Sequence, residues 1–209
     1  VVSLQPPTSP PPEVPKPQLV VAVTGHRPDK LGGYKVPNEM YDLVVAGLVK
    51  SFEKFKPAFI ITGMSLGVDQ WAAEICVNMG IPFVAAVPFD EQDKIWPPHS
   101  KAKYQWLLTK AYQVTKISQG GFTPLKMQIR NQWMVNSSHL MIAVWNGSPG
   151  GTANCLSYAT ERGKQVHYVP LPPAGMSVGE FFHKMYGAEA KQEPPKTDLP
   201  NTGKRIVEI

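Results

Sequence analysis

Short apolar, β-rich runs alternate along this chain with segments of helical period, and that alternation constrains its fold more than any other feature. The runs are LVVAVT (19–24), AFIIT (58–62), PFVAAVP (82–88), QVTKIS (113–118), LMIAVW (140–145) and QVHYVP (165–170). Their length and bounding turn residues are those of buried strands. Between the first two, NEMYDLVVAGLVKSFEKF sets Met40, Leu43, Val44, Gly47, Leu48 and Phe52 on one helical face. GVDQWAAEICVNMG does the same with Val68, Trp71, Ala72, Ile75 and Met79, and Gly80 stops it. Further helices are expected over 100–111, 124–137, 151–163 and 177–186. Strand and helix in strict alternation predict an α/β chain: a Rossmann-like, mostly parallel sheet with helices on both faces. Ligands of such sheets bind beyond the carboxyl ends of the strands. Here those ends carry TGHRPDKLGGY, TGMSLGVD, PFDEQDKIWPPH and WNGSPGGT, so glycine-rich and polar chemistry is concentrated on one rim.

The 22 prolines are uneven. VVSLQPPTSPPPEVPKPQ and the closing AKQEPPKTDLPNTGKRIVEI hold many of them and lack apolar periodicity. The expected organisation is a Pro-rich disordered leader over 1–18, one folded domain over 19–187 and a flexible tail over 188–209. The chain does not begin with Met, as expected of one processed or cut from a longer protein. A formal charge of +5 fits an anionic partner, but Lys and Arg are scattered rather than clustered with aromatics, so nucleic acid is not favoured. Cys76 and Cys155 have no CxxC spacing, which fits structural thiols in a reducing compartment, so a cytoplasmic location is expected. No apolar run reaches the roughly 20 residues of a membrane span. His26, His99, His139 and His167 lack paired spacing, so no metal and no cofactor are expected.

Two turns carry anion-binding chemistry. In TGMSLGVDQWAAE, Gly63 follows a strand, Gly67 comes just ahead of a helix, and Asp69 falls in that helix's first turn, with Ser65 and Leu66 between the glycines. Glycines let a backbone approach phosphate or sugar closely, and a helix start offers unpaired N–H groups at a positive dipole end. Asp69 then has two readings: a carboxylate stabilising its own helix, or an acceptor for ribose hydroxyls. NGSPGGTANCLSYA repeats the logic with Asn146, Gly150, Gly151 and Thr152, the last being either a helix N-cap or a phosphate ligand. At the first strand end, Thr24 and Gly25 should close the strand and release Arg27 over the ligand's charge. Arg27 and Arg130 have the fork that suits phosphate, and Asn131 the amide that suits a base or ribose edge. Surface ion pairing is the alternative for both arginines. His26 reads first as a hydrogen-bonded structural residue. Trp71, Trp106 and Trp133 read as core, whereas Trp96, in a proline-broken polar loop, could stack on a base or close over the ligand. No GxSxG elbow and no Cys–His neighbours offer a nucleophile.

TGHRP, LGGY, TGMSLGVDQWAAE, VPFDEQDKIWP and RNQWMVNSSHLMIAVWNGSPGGTANCLSYA, in that order from about Val20 to Val169, resemble the YpsA-like branch of the SLOG superfamily, relatives of the DprA and Lonely Guy proteins. The resemblance implies a Rossmann-like domain holding nucleotides or nucleotide-derived ligands through its glycine-rich turns. Some members split the N-glycosidic bond of nucleoside monophosphates; others sense nucleotide signals. Lonely Guy-type hydrolases look like PGGxGTxxE, with the glutamate serving the sugar. Here PGGTANC loses the spacer and the intervening glycine, and Cys155 stands where that glutamate would fall. An oxocarbenium-like state needs a nearby carboxylate, and Asp69, Asp90 and Glu91 are the ones left to supply it.

The expected function is binding of a nucleotide or nucleotide-derived phosphorylated ligand, as a sensor or carrier module. The alternatives are a nucleoside 5'-monophosphate N-glycosidase with Asp69 as its catalytic carboxylate, and single-stranded DNA binding. The expected assembly is a homo-oligomer, paired subunits being the commonest arrangement.

Overall fold

The structure, a computed structural model, describes residues 18–187, so the leader and tail expectations lie outside it but for Gln18. Six strands form one sheet: β1 (Val20–Gly25), β2 (Phe59–Thr62), β3 (Phe83–Val87), β4 (Gln113–Lys116), β5 (Leu140–Val144) and β6 (Gln165–Tyr168). The helices are α1 (Glu39–Phe55), α2 (Val68–Met79), α3 (Pro98–Lys110), α4 (Pro124–Asn136), α5 (Gly151–Glu161) and α6 (Val178–Tyr186). The expected α/β Rossmann-like architecture is present, with every strand pair parallel rather than most of them.

Side chains alternate across the sheet, as strand geometry requires. Val21 and Val23 face one core with Ile60, Phe83 and Ile142, covered by Leu48 and Phe52 of α1, Trp71 and Ile75 of α2, and Leu107 of α3. Ala22, Ile61 and Met141 face the other, covered by Met134 and Val135 of α4 and Cys155 and Ala159 of α5. Each large apolar side chain fully buried this way stabilises the fold by about 1.5–3 kcal/mol. Met79 departs from the helical-face reading of α2: it is 38% exposed, at the last residue of the helix before its cap Gly80.

Strand order is β4-β3-β2-β1-β5-β6. The chain steps outward from β1 to β4 and then returns to lay β5 on the free side of β1, so the direction of winding reverses between β1 and β5. Loops leaving those two strands diverge to opposite faces and leave a crevice at their carboxyl ends. Two close approaches fix the rim. A Cβ on Gly25 would lie 2.6 Å from Val68, so β1 ends against the first turn of α2. Gly67, the residue ahead of α2, has φ +96° and sits 2.7 Å (as a built Cβ) from the His26 carbonyl oxygen, conditions that only glycine meets easily.

Candidate functional site

A cleft of about 640 Å³ opens at the β1/β5 crevice. One wall is the loop after β1, with Thr24, Gly25, His26, Arg27 and Lys30, and beside it stand Gly150, Gly151 and Thr152 at the start of α5. The floor includes Ser65, Asp69, Arg130 and Cys155. The segment entering α4 also lines it, with Phe122, Pro124, Leu125, Met127 and Gln128. The turns around 25, 65 and 150 therefore converge on one space.

The loops after β1 and β5 are stitched together by side chains. His26 Nε2 lies 2.7 Å from Asn146 Oδ1 and 3.2 Å from the Asn146 backbone N, and Asn146 Oδ1 also accepts the Ser148 N–H at 3.0 Å. Lys30 Nζ donates to Ser148 Oγ at 2.8 Å and to the Pro149 carbonyl at 2.9 Å. Burial holds the His26 imidazole below its ordinary pKa, with the Asn146 bond working the other way. His26 and Asn146 thus shape the turn that precedes α5. Gly150 is the N-cap of α5 and supplies no side chain, so Thr152 is in the first turn rather than capping it. Asn131 Nδ2 donates to the Gly151 carbonyl at 3.3 Å, tying α4 to the same turn.

The floor is organised by Arg130, 3% exposed. Its Nη1 donates to the Gly63 carbonyl and lies 3.7 Å from Asp69 Oδ2. Nη2 donates to Ser65 Oγ at 3.3 Å and Nε to Asn131 Oδ1 at 3.0 Å. The guanidinium fork is consumed inward. It bolts the β2–α2 turn to α4 and has little left for a ligand. The Asp69 carboxylate also accepts the Ser65 N–H at 3.2 Å, so it both holds its own turn and lines the cleft. Burial pushes the Asp69 carboxyl above the ordinary aspartate range, while Arg130 and the Ser65 bonds pull it back. A side chain on Gly63 would collide with Arg130 Nη1, which is why glycine stands there. Gly63, Leu66 and Gly67 support the cleft without lining it.

Arg27 differs: it is exposed, it lines the cleft, and it makes no ion pair among the described residues. Cys155 lines the floor, but burial pushes its thiol up to about 11, so it is a neutral thiol at physiological pH. Trp96 is not brought here. Its ring meets Tyr104 at 5.3 Å, edge to face, and packs on the core beneath α1, α2 and α3. Asp90 is occupied by Lys116 and the Gly120 N–H, and Glu91 pairs with Lys94 at 3.0 Å; neither lines the cleft. Lining residues outside the motif reading include Asp29, Lys30, Phe122 and Leu125. Lys30 stands in the same motif as Arg27, whereas nothing in GGFTPL marks its apolar residues as cleft wall.

A model of the YspA SLOG family (YpsA) matches residues 21–171. The chain is 38% identical over 133 residues to an uncharacterized SPbeta prophage-derived protein, YoqJ, of Bacillus subtilis (strain 168), covering 56% of this chain and 75% of that one. Its fold is similar to that of the DNA processing protein A (DprA) of Streptococcus pneumoniae, with a TM-score of 0.57 and 18% identity, over 76% of this chain and 52% of that chain. The matched region is thus about half of that DprA chain. DprA of Helicobacter pylori, described by its single-stranded DNA binding mode, aligns with a TM-score of 0.55 and 19% identity over 82% and 74% of the two chains. At such identity the likeness to both DprA structures is one of fold. Among the described residues no helix is long and apolar enough to cross a membrane.

Proposed function

The chain belongs to the YspA SLOG family, and on that premise we propose that its cleft binds a nucleotide or nucleotide-derived phosphorylated ligand, as a sensor or carrier. The observation that carries this reading is the meeting of Arg27, Lys30 and the uncapped first turn of α5 at the β1/β5 crevice. Backbone N–H groups and the helix dipole favour an anion there, and Arg27 supplies a cation with no partner among the described residues. Asp69, on the floor beyond, suits the hydroxyls of a ribose attached to that phosphate.

The test is a thermal-shift and calorimetric panel of nucleoside monophosphates, diphosphates and ADP-ribose at millimolar concentration. A ligand at 100 times its dissociation constant adds about 2.7 kcal/mol to stability. Stabilisation by at least one compound is expected, and silence across the panel rejects the reading.

One observation favours a second reading, N-glycoside hydrolysis of a nucleoside monophosphate: a buried carboxylate, Asp69, lines the floor with its pKa raised. Its catalytic role would require free base to appear on chromatography and Asp69→Asn to stop that while binding persists. Single-stranded DNA, bound by the Helicobacter pylori protein, is a weaker match. The cleft presents two exposed cations, and one of them, Lys30, is already engaged with the β5–α5 turn.

A further inference from the structure

The cleft lining is charged in one segment and largely apolar in another. Beside the loop after β1, which brings Arg27, Lys30 and Asp29 to the cleft, the lining includes Phe122, Leu125 and Met127. Phe122 is 64% exposed and Leu125 63%, a large apolar surface left in water inside a concave site.

We propose that Phe122, backed by Leu125, is the platform on which the flat heteroaromatic base of the ligand stacks, so that the site selects nucleotides over sugar phosphates. This rests on the phosphate-binding reading above and adds to it the part of the ligand that phosphate contacts leave unread. Phe122 occupies the position just ahead of the helix cap Thr123, and Met127 the fourth helical position. In a hydrophobic staple such residues pack on each other. A staple alone would bury the ring, whereas Phe122 keeps most of its surface in water.

Its position is nonetheless set. The ring meets Phe89 edge to face at 5.5 Å, and Phe89 is buried. Thr123 Oγ1 accepts the Lys126 N–H at 3.2 Å, and Lys126 Nζ donates to the carbonyls of Gln119 and Gly121 at 2.7 Å each. Asp90 Oδ2 accepts the Gly120 N–H at 2.6 Å. An aromatic held this way gives up little freedom when a ring stacks on it, which is what makes a stacking platform effective. The cleft's volume suits a small ligand rather than a macromolecular chain. Its charge suits one too, with a phosphate at the α5 end and an uncharged plane against α4.

The test measures binding of AMP, GMP, CMP, UMP and ribose 5-phosphate to the full chain by calorimetry, with sedimentation in parallel. Base stacking on an aromatic predicts that at least one nucleotide binds about five-fold or more tighter than ribose 5-phosphate. Phe122→Ala should erase most of that preference while leaving ribose 5-phosphate affinity unchanged and the chain folded, and Phe122→Tyr should restore it. Equal affinity of the wild-type chain for ribose 5-phosphate and every nucleotide overturns the platform and leaves the phosphate site standing. Failure of all five probes to bind overturns the platform, while the phosphate reading stands or falls with the wider panel above. Loss of an oligomer on Phe122→Ala with nucleotide preference intact assigns this surface to a second copy of the chain and also overturns the proposal.

Discussion

Helix α2 carries two buried carboxylates, and their surroundings differ in an informative way. Asp69, at its start, pairs with Arg130 of α4, whose guanidinium also holds the Gly63 carbonyl, Ser65 and Asn131. Glu74, 2% exposed, pairs with Lys103 of α3, and its Oε2 has no hydrogen-bond partner. The first pair is the hub of a network that positions a cleft-lining turn. The second is a single contact under a helix, away from the cleft. A buried pair by itself need not stabilise, since desolvation offsets the Coulombic gain. What separates the two is how much backbone each organises.

The largest effect should come from Arg130→Ala, which strands the buried Asp69 carboxyl and leaves the Gly63 carbonyl short of a donor. Breaking such a pair costs about 3–5 kcal/mol, to be read from urea unfolding. Arg130→Lys should recover little of that, because an ammonium cannot reach three acceptors with a planar fork. If Arg130→Lys is as stable as the native chain, the network is no hub.

At the second pair the prediction is smaller and reverses on double substitution. Lys103→Ala strands Glu74 and should cost about 2–3 kcal/mol, less than the fully buried case because Lys103 keeps part of its surface in water. Replacing both Glu74 and Lys103 by Met should be near neutral or stabilising, as apolar replacements of lone buried pairs often are. The same double change at Asp69 and Arg130 should remain costly, since it also strands Gly63 and Ser65. Equal outcomes at the two sites would erase the distinction.

How much of this was readable in advance follows from how far each contact reaches. The strands, the helices and the rim come from local period and turn chemistry, and their bounds fall within a few residues of those expected. The residue type of Arg130 and its place before β5 fit a phosphate ligand or a surface ion pair equally. Its inward turn depends on β2 lying under α4, a pairing between segments far apart in sequence that no local period encodes. Trp96 misled for the opposite reason. A large aromatic in a polar loop looks free, yet α3 carries Tyr104 back beneath it. A single apolar residue after two glycines, as Phe122 is, reads as loop, and only the folded chain brings it into the same cleft as Arg27.

Titration sharpens the comparison further. Burial raises the pKa of Glu74 above its ordinary 4.5 despite Lys103. The folded state then holds a proton at pH values where the unfolded chain has released it. Stability contributed through this group is present at low pH and is lost as pH rises from the unfolded pKa through the folded one. Glu74→Gln removes the titration, so its advantage over the native chain should be greatest at neutral pH and should shrink as pH falls toward 4.5. Asp69 shifts in the same direction but against more opposing partners. A gap between Glu74→Gln and the native chain that does not shrink at all as pH falls from 7 to 4.5 would mean that the pKa of Glu74 is not raised by its burial.

The smallest effect on stability belongs to the arginine that the comparison leaves free. Arg27 lines the same cleft as Arg130 but is exposed and unpaired among the described residues. Exposed substitutions away from networks change stability by about 0.5 kcal/mol or less, so Arg27→Ala should melt with the native chain. Its consequence should fall on ligand affinity: losing a charge-assisted hydrogen bond to phosphate weakens binding about ten-fold or more. Calorimetry with the tightest nucleotide of the panel separates the two roles, Arg130 acting through the shape of the floor and Arg27 through its charge. Raising salt should close the gap between Arg27→Ala and the native chain, because ions screen an exposed cation far more than a buried one. A gap that persists at high salt would mean that Arg27, like Arg130, works by holding structure.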